Sequence, residues 1–326
     1  MTTHKTAESV SPRHPDKICD QISDAILDAY LTHDPAARVA IDVAGGHGTV
    51  FVTGEVTANT SIDITPIVHK FVTNAEVITK VVAQSREIAL GVDSGGAGDQ
   101  GIMVGYATRE TEELLPLEVV LSRQLNQYLY AIWPYDGKTQ ITLQDGTISA
   151  IVASFQHAPY DELRAAVIDW GHSHTAAASG FVRKLPALHI NPAGDWTTGG
   201  FDADAGLTGR KLAIDNYGPR VPLGGGAFSG KDPSKVDRSA AYMARRIAVD
   251  YLRQHNAHEV YVYLAYAIGF DQPLEATLLV DGITQPVYNY DLTPRGIIDY
   301  LDLQRPIYES TARYGHFGHR EFSWEL

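Results

Sequence analysis

The order helix, strand, strand, helix occurs three times along this chain of 326 residues, and few folds accommodate that. The leading helices are expected to start near Pro15, Pro116 and Pro233, since proline suits the first helical turn. The first buries a stripe of Ile18, Ile22, Ile26 and Ala29. Strands are read at 38–43 and 50–56, 88–93, 101–108, 139–143 and 147–155 (a hairpin about Asp145-Gly146), 188–191, 212–215, 259–266 and 276–280. Further helices are read at 66–82 (broken near Asn74), 116–131, 160–170, from 233 to 255, and 293–301. The similarity lies in element order, not in sequence. It implies an α+β fold of three similar units, each with helices on one face of a mostly antiparallel sheet. The expected units are residues 1–95, 96–198 and 199–326, interleaved at their edges.

Bulk properties narrow the partners. A net charge of −13 argues against nucleic acid or acidic membranes. No apolar run is long enough to span a bilayer, and the start resembles no signal peptide. A single cysteine, Cys19, excludes internal disulfides and points to a reducing cytoplasm. Yet Arg210, Lys211, Arg220, Lys231, Lys235 and Arg238 fall close together, which suits a small anionic substrate.

The densest of these signals is Gly224-Gly-Gly-Ala-Phe-Ser-Gly-Lys-Asp-Pro-Ser-Lys-Val-Asp237. Three glycines allow unusual turns and close approach to a ligand, and Lys231 and Lys235 add charge. With Pro233 opening a helix whose N–H groups face the loop, this describes a polyphosphate site. Asp237, about one turn further, is a carboxylate that magnesium would make tolerable beside phosphates. A P-loop is excluded by context: Asp232 stands where Ser or Thr should be, and the preceding segment holds two prolines.

Other residues carry chemistry less specifically. His14 sits at a helix cap and Asp16 in the first turn, where the plain reading is capping and a favourable dipole. Glu55 in a strand is read first as a solvent-facing residue. The glycine-rich stretch 94–101 is a candidate mobile loop, with an interdomain linker as the plain alternative.

Together these motifs resemble the S-adenosylmethionine synthetase family. The residues are Glu8-Ser-Val-Ser-Pro-Arg-His-Pro-Asp-Lys17, Gly96-Ala-Gly-Asp-Gln-Gly101, Gly206-Leu-Thr-Gly-Arg-Lys211, the central stretch, Tyr266-Ala-Ile-Gly269 and Tyr314-Gly-His-Phe-Gly318, in order along the whole chain. The resemblance implies a transferase converting ATP, L-methionine and water to S-adenosylmethionine, phosphate and diphosphate. It also implies a homodimer or homotetramer with active sites between subunits. Carried over position by position, His14, Lys138 and Lys231 are catalytic. ATP contacts are His14, Lys138, Trp196, Asp204, Arg210, Lys211, Ala227 and Lys231. Methionine contacts are Glu55, Gln84, Asp99, Asp204 and Lys235. Asp16 and Asp237 are magnesium ligands, with two ions per site expected, and Asp42 matches a potassium position.

Departures from the family pattern qualify this. Asp42 is shorter than the common Glu, so weak stimulation by potassium (K+) is expected. Trp196 replaces Phe but keeps a π-face. Asp195 reverses a common positive charge, and Leu223 stands where His is frequent. The gating segment before Gly96 and the middle unit are trimmed, which leads to the expectation of a more open site accepting ethionine. A kinase or a non-catalytic ATP sensor remains the alternative to this transferase. Turnover separates them, because a kinase would give ADP and a sensor nothing.

Overall fold

The computed structural model describes residues 3–84, 95–174 and 185–326. The strands are β1 His4–Val10, β2 Arg38–Gly46, β3 Thr49–Thr57, β4 Glu76–Val82, β5 Gly101–Thr108, β6 Gly137–Gln144, β7 Thr147–Phe155, β8 Ala187–Ile190, β9 Gly206–Leu207, β10 Glu259–Tyr266, β11 Glu275–Val280 and β12 Ile283–Pro286. The helices are α1 Pro15–His33, α2 Ile64–Phe71, α3 Leu117–Ile132, α4 Tyr160–His174, a single turn α5 Leu212–Asp215, α6 Val236–Gln254 and α7 Pro294–Leu301.

Three four-stranded sheets follow one plan, in the orders β9-β2-β3-β4, β1-β6-β7-β8 and β5-β10-β11-β12. Each is built on an antiparallel hairpin. A leading strand from elsewhere in the chain pairs antiparallel on one edge. β1 precedes α1 in sequence but joins the β6–β7 hairpin, β5 precedes α3 but joins β10, and β9 joins β2. The units therefore lend their first strands to one another in a cycle. The outer strand is parallel in two sheets, β4 on β3 and β8 on β7, because a helix crosses between them. In the third, Asp281-Gly282 turns tightly with positive φ, and β12 pairs antiparallel.

The long helices pack on these sheets for reasons visible in their sequences. Ile18, Ile22 and Ile26 of α1 are buried against Val39, Ile41 and Val43 of β2. In α6, Val236, Ala240, Ala244, Ile247 and Leu252 are all buried. Charges inside are paired: the fully buried guanidinium of Arg238 holds Asp24 at 2.7 Å, and Arg245 holds Glu325 at 2.7 Å. Removing one member of such a pair costs about 3–5 kcal/mol.

The structure corrects several sequence expectations. Residues 66–82 are not one broken helix: the helix stops at Phe71, Asn74 turns the chain at φ 65°, and the β-branched run after it forms β4. Residues 212–215 are a helical turn, not a strand. The helix expected at Pro233 starts at Val236, because the Asp232 carboxylate accepts from Ser234 N at 2.8 Å and forms a separate turn first. Arg220 and Arg238 do not belong to a basic pocket. Arg220 pairs with Glu110 and Glu118, and Arg238 lies in the core. Among the described residues no helix is long and apolar enough to cross a membrane. The strand expected at 88–93 and the short gating segment lie outside the described residues.

Candidate active site

The first turn of α1 gathers one group of the expected residues. His14 is the N-cap, and its Nδ1 accepts from Asp16 N at 3.2 Å. That bond requires Nδ1 to be unprotonated, so the neutral ring carries its proton on Nε2. Burial first, then the charges of Lys211 and Lys138, push the His14 pKa down to about 3, against the opposing pull of Asp16 and Asp204. His14 is therefore a neutral donor encircled by charged groups.

Asp16 is buried at the centre. It accepts from Leu207 N at 3.0 Å, from Arg210 Nε at 3.1 Å and from Lys211 Nζ. Burial alone would raise its pKa, but Lys211 and the Leu207 N–H hold it below the ordinary value. Lys138 pairs with Ser154 across β6 and β7, and Trp196 Nε1 donates to Ser154 Oγ at 3.1 Å, so the indole lies beside Lys138. Ala227 lies against Gly209, where a Cβ would strike its own.

A second group lines a pocket of about 200 Å³: Glu55, Gln84, Asp99, Lys231, Lys235 and Asp237, with Ala40. Lys231 Nζ lies 2.6 Å from Asp237 Oδ2, and Lys235 pairs with Asp232. Gln84 Oε1 is buried without a hydrogen-bond partner among the described residues, an acceptor facing an unfilled need. Glycine at 225 and 226 answers a demand for space. Both keep φ outside the left-handed region, contrary to expectation, but a Cβ on Gly226 would lie 2.9 Å from Asp237 Oδ2. Gly226 N donates to Asp237 Oδ1 at 3.0 Å, which fixes the loop to the first turn of α6.

Several placements separate residues that the sequence left side by side. Asp42 joins neither group; it is exposed on β2 and makes no side-chain bond among the described residues. Asp195 has a structural task, accepting from Tyr160 N at 3.1 Å and Asn191 Nδ2 at 2.9 Å. Leu223 is exposed. Asp232 accepts from Val39 N at 2.6 Å, which further removes the P-loop reading. The described end of the glycine-rich stretch is anchored, since Ala97 N donates to Phe270 O at 2.7 Å and Ala97 O accepts from Gly269 N at 2.8 Å.

Sequence reasoning missed the layer beneath the site. Lys17, fully buried, reaches Asp215 at 2.8 Å and Asp20 at 3.1 Å, while Asp20 accepts from Gly209 N at 2.8 Å. Arg123 donates to the carbonyls of Ile214, Asn216 and Phe317. These bonds clamp the segment that carries Arg210 and Lys211 onto α1. The signal available was Lys17 and Asp20 flanking a helical apolar stripe, charges that a solvated face alone would not bury.

Among the described residues no three acidic, His or Cys side chains converge on a metal position. Asp16 and Asp237 each offer a single carboxylate, in separate groups, already neutralised by lysine. A single carboxylate at each position fits magnesium, which takes one or two and completes its shell with phosphate oxygens and water, provided the ion displaces the lysine paired there.

Three cyclically interleaved α+β units, with cations set around a neutral imidazole, define a class of protein built to hold a polyphosphate. Residues 2–90, 94–196 and 198–326 match in turn the N-terminal, central and C-terminal domains of S-adenosylmethionine synthetase. The chain belongs to the S-adenosylmethionine synthetase family. It is 42% identical to an S-adenosylmethionine synthase of Treponema denticola, covering 98% of this chain and 95% of that one. It is 41% identical to one of Nitratiruptor sp. and 40% identical to one of Sorangium cellulosum, with 98% of this chain covered in each and 94% and 86% of theirs. The alignment to the Treponema protein runs over 368 positions, 42 more than the 326 residues here, so that relative has residues without counterparts in this chain.

Proposed function

We propose that this protein is a methionine adenosyltransferase, joining ATP and L-methionine to give S-adenosylmethionine, phosphate and diphosphate. The observation that carries the reading is the neutral His14 set among Lys138, Lys211 and Asp16. A thioether sulfur has no proton to lose when it attacks C5′ of ATP, so no base is needed. The demand falls on the departing triphosphate, whose charge grows as the C5′–O bond breaks. His14 Nε2–H donates to the bridging oxygen, and Lys138, Arg210, Lys211 and Lys231 neutralise the phosphates. Trp196 stacks on the adenine and Ala227 lies against the nucleotide. Glu55, Gln84, Asp99 and Lys235 hold methionine, and Asp204 takes its ammonium or the ribose. Asp16 and Asp237 would hold magnesium, two ions per site, and the metal would supply positive charge against the triphosphate. Asp42, exposed and short, gives potassium little purchase.

The two groups of residues serve one reaction if a second copy of the chain completes the site. The face of the β2–β3–β4 sheet opposite α1 supports a homodimer, paired again in a homotetramer or not. Phe51 pairs with Ile78 and Ala44, and Glu55 with Val82 and Ala40, so apolar side chains run up to the Glu55 pocket. Phe51, Ile78, Val82 and Leu207 are left exposed there, unlike a solvated face. Pure protein given ATP, methionine and magnesium, with sodium or potassium, tests the activity. The expected products are the sulfonium, phosphate and diphosphate in equal amounts, with little change between the two salts. ADP as product, or no turnover, would contradict it.

A further inference from the structure

A pocket of about 240 Å³ opens between the start of α1, the end of α2 and the C-terminal segment. Arg13, Lys70 and Arg313 line it, with Tyr130 and Glu309, and it shares no residue with the two groups above. Among the described residues none of these three cations is paired with a carboxylate. Arg13 spends one of its five donors on Phe71 O, at 3.0 Å. Below it Gln21 is buried, and its amide donates to Pro12 O at 2.7 Å and Lys17 O at 2.9 Å, which fixes the Pro12–Arg13 segment as a wall.

Three cations around one cavity repel each other, and in a chain of net charge −13 there were carboxylates enough to pair them. Only Glu309 faces them, leaving two positive charges in excess. The pocket has room for an anion of one or two phosphoryl groups. We propose that this pocket binds a phosphate-type anion, at a site separate from the triphosphate site. If the reaction is the one proposed above, the protein itself produces phosphate and diphosphate, the two anions of this class that it meets most often.

The test uses the full chain with magnesium and an ATP analogue bearing an imido β–γ bridge, to fill the active site. Inorganic phosphate and then diphosphate are titrated by calorimetry. One further binding event per chain is expected with at least one of the two. Tighter binding of diphosphate would assign two phosphoryl subsites, and of phosphate a single one. The Lys70→Ala/Arg313→Ala double variant should bind at least tenfold more weakly, and Lys70→Arg/Arg313→Lys should restore binding. The double variant should keep its kcat without added anion, which also reports its folding. No further binding event with either anion overturns the proposal, as does binding unchanged in the double variant. Because the comparison is between variants outside the active site, and circular dichroism reports folding where there is no turnover, failure of the proposed activity leaves this result readable.

Discussion

At the scale of single residues, His14 was legible twice, as a helix cap, which the structure shows, and as part of a motif whose catalytic role is proposed. The capping bond from Asp16 N is what leaves the proton on Nε2. His14→Asn should lower kcat by about 10²-fold or more with a smaller change in KM, as for loss of help given only in the transition state. Near-normal kcat would return His14 to capping alone. Since burial and the nearby lysines push its pKa down to about 3, kcat/KM should show no His14 ionisation between about pH 6 and 8. Stability has the same origin. The folded pKa lies below the unfolded value of 6.5, so the unfolded chain takes the proton first. The contribution is complete above pH 6.5 and is lost as pH falls towards 3, and thermal melts of His14→Asn should show less of that acid loss. The link from Lys17 to Asp215 was not legible, because the two residues lie almost two hundred positions apart.

At the scale of elements, long periodic helices and hairpins with Asp-Gly turns were read well, since their patterns are local. Four edge strands were missed or misread: β1, β4, β9 and β12. Edge strands show weak alternation, and β1 and β9 find their partners in another unit's sheet, which no local pattern announces. The same long-range contacts turned residues 212–215 into a helical turn, held by Lys17 and Arg123. The juncture of β9 with α1 is where fold and site meet. A Cβ on Gly206 would strike Pro15 O and come within 2.8 Å of Asp16 N. Gly206→Ala should force β9 off α1, break the Leu207–Asp16 bond and misplace Arg210 and Lys211. We expect a loss of about 1–3 kcal/mol in stability, seen as a lower Tm, and a raised KM for ATP. Unchanged Tm and KM would mean that the juncture is looser than the geometry requires.

At the scale of the whole molecule, the threefold order in the sequence implied three similar units, and the structure adds that they exchange leading strands in a cycle. The apolar sheet face beside Glu55 is what supports the proposed second copy, and the sequence pattern alone did not single it out. Phe51→Asp should give a monomer by sedimentation velocity and lower activity at least tenfold, with the fold kept by circular dichroism. A fully active monomer would contradict a shared site. The central claim is that cations gather the whole triphosphate as it leaves C5′, and a single-turnover quench experiment with ATP labelled on its γ-phosphorus tests it most directly. The account predicts that labelled triphosphate forms in step with S-adenosylmethionine and is then cleaved to phosphate and diphosphate. Labelled phosphate released before any sulfonium appears, with ADP left behind, would contradict it.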